Sequence, residues 1–266
     1  MTGNVLVCVK QVIHPDYLSQ ISLDQVRGTV DREDVPAIIN PGDRNALEEA
    51  LRIRERFSGK VTVLTMGPPQ ARKALEEALA MGADVAVHLC DRAFAGADTL
   101  ATAQALAYGI GKLGQFDVVL CGDATIDSGT GQVAVQLAEF LNLPCITSVE
   151  ELTFEDEPGL LVKRIWERGY IKVRLKLPAV IAVTDKINQP RLPNIAGIMT
   201  ATQKEITTWN AADIGADVTR VGLAGSPTQF FGVSEFHAKR QGGILQGTAE
   251  EVVNDAVGRL LNLEVL

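Results

Sequence analysis

Residues 122–133 read Gly122-Asp-Ala-Thr-Ile-Asp-Ser-Gly-Thr-Gly-Gln-Val133, a run of glycines and small hydroxyl residues that opens into an apolar helical pattern. Such residues bind anions. N–H groups at a helix start point outward, glycine lets a ligand approach the backbone, and the hydroxyls of Ser128 and Thr130 add hydrogen bonds suited to a pyrophosphate. Gly129-x-Gly131-x-x-Ala134 also fits the dinucleotide fingerprint. That fingerprint ordinarily follows the first strand of its unit, whereas here it follows the fourth, which argues against a nicotinamide-type site. A second run, Asp91-Arg-Ala-Phe-Ala-Gly-Ala-Asp-Thr99, sets small residues beside one aromatic, a surface against which a planar ring can lie. Asp98 and Thr99 equally suit a simple helix cap. Asn40-Pro-Gly-Asp43 precedes a helical pattern and reads either as a contact to the same ligand or as a turn with an N-cap.

Side-chain catalysis finds little support. The four cysteines, Cys8, Cys90, Cys121 and Cys145, form no C-x-x-C pair, and His14, His88 and His237 are dispersed. Each cysteine lies in or beside an apolar segment and reads as a small core residue. No nucleophile stands with a base, and no paired carboxylates or metal cluster appear, so redox chemistry here requires a borrowed cofactor.

The elements that would position these loops are legible from periodicity. Val5–Val9, Val61–Met66, Val85–Leu89 and Phe116–Leu120 are short β-rich runs. They alternate with helical patterns over 45–57, 71–81, 99–113 and about 131–141, the signature of a parallel sheet covered by helices. Ligands of such a sheet bind beyond the carboxyl ends of its strands, where connections diverge to opposite faces. From Pro144 the runs 146–149, 160–166 and 170–175 lie too close together for helices and predict antiparallel strands, with a hairpin at Glu167-Arg168-Gly169. Ala179–Val183 is expected to return to the main sheet. The stretch from Asn188 is expected to be an ordered loop leading into a short helix, carrying apolar Leu192, Ile195, Ile198 and Met199. Residues 222–247 show no core pattern, and 250–263 predict a terminal amphipathic helix through Val253, Val257, Leu260 and Leu261.

At 266 residues the chain can bury one sizeable α/β core with additions. With 46% hydrophobic and 22% charged residues it has the composition of a folded globular protein. A formal net charge of -8 argues against a nucleic-acid-binding surface. No apolar run reaches the roughly 20 residues needed to span a bilayer, and the N-terminus lacks a basic segment before a long apolar core, so a cytoplasmic protein is expected.

Several segments together carry a family resemblance: Val5-Leu-Val-Cys-Val-Lys-Gln-Val12, Asn40-Pro-Gly-Asp-Arg-Asn-Ala-Leu-Glu-Glu-Ala50, Ala80-Met-Gly-Ala-Asp84, Leu175-Lys-Leu-Pro-Ala179 and Asn188-Gln-Pro-Arg191. In this order, and across nearly the whole chain, they resemble the beta subunits of electron-transfer flavoproteins. The resemblance implies an α/β fold: a parallel-sheet, adenine-nucleotide-binding (Rossmann-like) domain with an antiparallel strand addition and an extended C-terminal tail. It implies a domain over 1–221, including a recognition loop at 190–204, and an arm and helix over 222–266 that pack on the partner subunit; Gly225-Ser-Pro-Thr228 is similar to segments that wrap it. The partner would be an alpha subunit carrying its own FAD, and the chain would be an electron carrier, oxidising NADH only within a heterodimer or larger complex.

FAD is the favoured ligand of this subunit and AMP the alternative. The run 91–99 and the short loop 126–133 resemble the electron-bifurcating branch, from which Ser128, Gly129, Gly131 and Ala134 depart. By matching position, Cys8, Asn40, Asp43 and Met66 would surround the adenosine. Asp127, Thr130, Gln132 and Val133 would hold the phosphates, and Phe94, Ala95, Gly96, Ala97, Asp98 and Thr99 would border the flavin ring; Gly122, Ser128, Gly129 and Gly131 join the cofactor-binding set as members of the same glycine-rich loop. Leu192, Ile195, Ile198 and Met199 would dock an acyl-CoA dehydrogenase-type protein, with Ile195 as the anchor. A second reading of the same core is a non-redox adenine-nucleotide-binding regulatory module of the universal stress protein kind; the long tail and the 190–204 loop count against it.

Overall fold

Alternation decides the architecture from the first strand onward. In β1 (Val5–Cys8) all four residues are buried, with Val5 and Val7 facing one side and Leu6 and Cys8 the other. A strand buried on both faces belongs inside a parallel sheet with a helical layer on each side. The computed structural model describes residues 2–20, 23–24, 29–30, 35–154, 159–228 and 242–263, and the chain falls into two units, 1–231 and 232–266.

In the first unit, β1 is followed by α1 (Pro41–Phe57), β2 (Val61–Met66), α2 (Arg72–Met81), β3 (Val85–Leu89), α3 (Thr99–Leu113), β4 (Val118–Gly122) and α4 (Val133–Leu141). Next come β5 (Cys145–Phe154), β6 (Leu160–Trp166), β7 (Gly169–Leu175), β8 (Ala179–Val183), α5 (Ile195–Ala201) and β9 (Ile206–Trp209). The nine strands form one sheet in the order β7-β6-β5-β8-β4-β1-β2-β3-β9. Pairing is parallel from β5 through β9 and antiparallel where β6 meets β5 and β7.

Helices α1 and α2 bury Leu47, Leu51 and Leu75 against the Val5 side of the sheet. Helices α3 and α4 bury Leu106 and Leu137 against the Leu6 side. The chain therefore runs from β1 outward to β3 along one face, then crosses back along the other to β4. Connections leaving β1 and β4, which are neighbours, diverge to opposite faces, and the crevice beyond their carboxyl ends is the switch point of the fold.

Several boundaries differ from the sequence reading. α1 starts at Pro41 rather than Asn45, because proline suits the first helical position. β4 runs two residues later than expected, since Asp117 is held at the strand start by N–H donors of Thr2 and Asn4. α4 starts at Val133 because Gly131 has φ +61, outside the helical region. The expected antiparallel strand at 146–149 is part of β5, which pairs parallel with β8 and then antiparallel with β6, bending where Ser148 has φ 57. The edge strand β9 and a short ribbon of Gln11–Ile13 with Ala37–Ile39 were not expected.

Residues 222–228 bond within the first unit: the Leu223 N–H donates to the Ala95 carbonyl at 3.0 Å and the Thr228 N–H to Asp98 at 3.0 Å. Residues 21–22, 25–28, 31–34 and 229–241 lie outside the described residues. The second unit contains α6 (Ala249–Asn262), opened by a capping box of Thr248 and Glu251, with the expected apolar stripe of Val253, Val257, Leu260 and Leu261. No described helix is long and apolar enough to cross a membrane, and no metal-ligating cluster occurs among the described residues.

Candidate functional site

Two side chains that would ordinarily cap α1 instead tie the crevice together. Asn40 occupies the N-cap position without capping: its Nδ2 donates to the Ala124 carbonyl at 3.0 Å, and its Oδ1 accepts from the Ile126 N–H at 3.2 Å. Its own N–H donates to the Lys10 carbonyl at 2.9 Å. Asp43 accepts the Lys10 N–H at 2.8 Å on one oxygen and the Gly122 N–H at 3.0 Å on the other. The ends of β1 and β4 are thus fixed to the start of one helix. Burial pushes the Asp43 carboxyl up to about 6, against the lowering pull of those two N–H groups, of Asn40 and of Lys10. At neutral pH it is the carboxylate the two donors require. Gly122 is obligatory, because a Cβ there would lie 2.5 Å from Asp43 Oδ1 and 2.7 Å from the Gly42 carbonyl carbon.

Above this floor the β4 loop forms a concave backbone. Gly129 and Gly131 both have φ +61, and a Cβ on Gly131 would come within 3.3 Å of the Asp123 carbonyl oxygen. The Gly129 N–H closes a turn onto the Thr125 carbonyl at 2.8 Å, and the Thr125 and Ser128 hydroxyls share a bond of 2.7 Å. Asp123 is fixed from behind by the Ser148 N–H at 2.9 Å. Ser128 to Thr130 and Gln132 are exposed, Val133 is half-buried, and Gln132 stands at the N-cap of α4 without making a side-chain cap bond. An uncapped helix start facing a glycine cradle has the chemistry that suits a phosphate. Lys10, absent from the sequence-derived set, reaches the cradle: its Nζ lies 2.7 Å from Asp127 Oδ1.

The remaining expected contacts fall into two groups. Cys8 and Met66 end β1 and β2 on the Leu6 side of the sheet, Cys8 buried and Met66 half-buried, so they border the crevice from below. The loop after β3 is more inward than expected. Phe94 is buried in the core, and only Ala95 and Gly96 are fully exposed within 94–99. Asp98 caps α3 through the Ala101 N–H at 3.0 Å. Burial raises its carboxyl, but the Ala101 and Thr228 N–H groups outweigh that and hold it low. Gly225–Thr228 bond to this loop: the buried Ser226 hydroxyl accepts the Asp98 N–H at 2.8 Å and donates to the Gly222 carbonyl at 2.7 Å.

All four cysteines are free. The Cys121 thiol is pushed well up by its bond to Cys8 and by burial, and Cys145 to about 11 by burial and Asp123. Neither is a thiolate at neutral pH, and burial likewise lowers His88, which bonds the Gly67 carbonyl at 3.0 Å.

A second exposed feature stands apart from the crevice. Leu192 and Ile195 are 81% and 80% exposed, and Ile198 and Met199 are also exposed. Their backbone is rigidly seated. Arg191 donates to buried Glu48 at 2.8 and 3.2 Å and to Glu55 at 2.6 Å. Asn188 exchanges bonds with Asn45, α5 is capped by Asn194, and Gly197 packs directly on the Ala80 carbonyl of α2.

A parallel sheet covered on both faces, with a phosphate-type cradle at its switch point, defines a Rossmann-like α/β protein. The family model described as "Electron transfer flavoprotein domain" matches residues 27–214. The chain is 47% identical over 264 residues to an electron transfer flavoprotein subunit beta of Thermoanaerobacterium thermosaccharolyticum, covering 99% of this chain and 100% of that protein. It is 44% identical over 257 residues to the corresponding subunit of Clostridium acetobutylicum, covering 97% of each. It is 45% identical over 259 residues to the caffeyl-CoA reductase-Etf complex subunit CarD of Acetobacterium woodii, covering 97% and 96%. The chain belongs to the electron transfer flavoprotein family, as a beta-type subunit, and its function lies in electron transfer.

Proposed function

We propose that the crevice between β1 and β4 holds an adenine nucleotide, with FAD favoured over AMP, and that the chain carries electrons as half of a heterodimer with an FAD-bearing alpha subunit. The observation that carries this reading is the cradle itself. Gly129 and Gly131 at φ +61 leave backbone open in front of an uncapped helix, and a side chain on Gly131 would meet the Asp123 carbonyl at 3.3 Å. The residues present fit a phosphate group. In this reading the loop 122–133 holds the phosphates, Asn40 and Asp43 hold the loop, and Cys8 and Met66 lie beneath the adenosine. Ala95, Gly96 and the start of α3 offer a surface for the ring of a flavin. When bound, a flavin supplies the electron chemistry that the thiols and the histidine of the core do not.

The electron partners we propose are NADH and an acyl-CoA dehydrogenase-type protein, the latter received on Leu192, Ile195, Ile198 and Met199. Support comes from the seated, exposed apolar arm and from the relative whose name places it in a caffeyl-CoA reductase complex. Division of an electron pair between two routes belongs to the same proposal through the 91–99 loop, as does a cytoplasmic setting. The test is to purify the chain with its companion subunit, release the cofactors and weigh them. Two FAD per heterodimer supports the full reading, one FAD with one AMP removes the divided route, and no adenine nucleotide in this subunit refutes the site.

A further inference from the structure

The geometry points to a role for Lys10 that rests on the reading of the cradle as a nucleotide site. We propose that the Lys10 ammonium is the movable phosphate ligand of that site, parked on Asp127 until a nucleotide phosphate displaces the carboxylate. Lys10 leaves β1 with its backbone held on both sides: its N–H donates to Asp43 at 2.8 Å and its carbonyl accepts from Asn40 at 2.9 Å. Only the side chain is left to move. Its Nζ lies 2.7 Å from Asp127 Oδ1, with 38% and 21% of the two side chains exposed. The pair joins the two connections that diverge from the switch point and so crosses the mouth of the crevice.

Position and charge both favour exchange. Asp127 stands two residues before Gly129 and four before Gly131, so its partner cation sits at the edge of the cradle. A carboxylate in a phosphate cradle repels the ligand unless a cation lies between them. A partly exposed Lys–Asp pair is weak, whereas the phosphate monoester of AMP carries about -1.5 to -2 charges near pH 7 with three acceptor oxygens, and the pyrophosphate of FAD carries about one charge on each phosphate. The phosphate therefore outcompetes Asp127 for the ammonium. Nearby charges leave Lys10 available: Arg44 is paired with Glu77, Asp123 is bonded to Ser148, and Asp43 is buried beneath and engaged by backbone N–H groups. Sequence reading placed Asp127 among the phosphate-holding residues; in this account its carboxylate is the competitor.

The test uses the complex with its companion subunit, freed of bound nucleotide and titrated calorimetrically with AMP and with adenosine. Lys10→Met is expected to weaken AMP binding on the order of tenfold or more, as for loss of a charge-assisted hydrogen bond, while leaving adenosine binding unchanged. Lys10→Arg should restore AMP affinity. Asp127→Asn should tighten AMP binding and reduce its salt dependence less than Lys10→Met does. Equal weakening of AMP and adenosine by Lys10→Met, unchanged AMP affinity, or weaker AMP binding by Asp127→Asn would each overturn the proposal. Wild-type complex that takes up neither AMP nor FAD would instead refute the nucleotide site on which the proposal stands.

Discussion

The crevice and the α5 arm are built by opposite means. At the crevice, side chains are buried so that backbone is displayed: Asn40 and Asp43 bond inward, and the surface presented is glycine and peptide N–H. At the arm, polar groups are anchored so that side chains are displayed: Arg191, Asn188 and Asn194 seat the chain, and Leu192 and Ile195 stand in solvent. Backbone donors fixed in a concavity suit a small anion, because they need no reorganisation when it arrives. Exposed aliphatic residues on a rigid base suit a protein surface, since their ordering cost is already met.

Variants at the crevice floor should have the largest effect. Gly122→Ala forces a methyl group against Asp43 and the Gly42 backbone, neither of which can withdraw. Stability should fall by about 3 kcal/mol in chemical denaturation. Nucleotide should be lost even from the fraction that folds, and a mild effect would show that α1 and β4 are not locked together.

Asp43 gives the contrast a pH signature. Its folded carboxyl is raised from the ordinary 3.8 to about 6, so the folded chain binds more protons than the unfolded one between those values. Stability contributed by the protonated form is present below about pH 4 and is lost as pH rises through about 6, a change on the order of 3 kcal/mol. Asp43→Asn should abolish that slope in urea melts recorded from pH 4 to 7. A slope unchanged by the substitution would place the titrating group elsewhere.

At the arm, effects on stability and on function should separate. Burial raises the Glu48 carboxyl, and the hydrogen bonds from Arg191 and Arg52 outweigh it and hold it low. Its contribution is therefore present above the ordinary carboxyl range and lost as pH falls through its depressed value. Arg191→Ala leaves Glu48 with Arg52 alone and should cost about 2 kcal/mol, with cofactor content unchanged. Ile195→Ala should change stability by less than about 0.5 kcal/mol, because the side chain is 80% exposed. Electron delivery to the proposed acyl-CoA dehydrogenase-type partner should nonetheless slow several-fold in stopped-flow traces. Equal rates would move the anchor off Ile195.

Much of the fold is legible in the sequence because its signals are local. Val5–Val9, Val61–Met66 and Val85–Leu89 declare strands by composition and length, and Gly82 and Gly114 stop their helices where the chain turns left-handed. The glycine loop of the candidate site is legible for the same reason. What escaped is long-range. Lys10 meets Asp127 across 117 residues, Asp43 meets Gly122 across 79, and Ser226 meets Asp98 across 128, none of which leaves a periodic trace. Ile206–Trp209 is too short and polar to announce a strand, and becomes one only because β3 offers an open edge. Asn40 and Asp43 are both capping types at a helix start, and only the fold shows that their bonds run to other segments.

Whether displayed backbone at Gly131 holds the proposed adenine nucleotide is read from the nucleotide content of the purified complex carrying Gly131→Val, by mass analysis of the released cofactor beside the wild type. One adenine nucleotide is expected in the wild-type subunit and none in the variant, with the same circular dichroism, because a branched side chain at φ +61 both strains the turn and fills the approach. A variant that keeps its nucleotide at wild-type stoichiometry would remove the site from this loop.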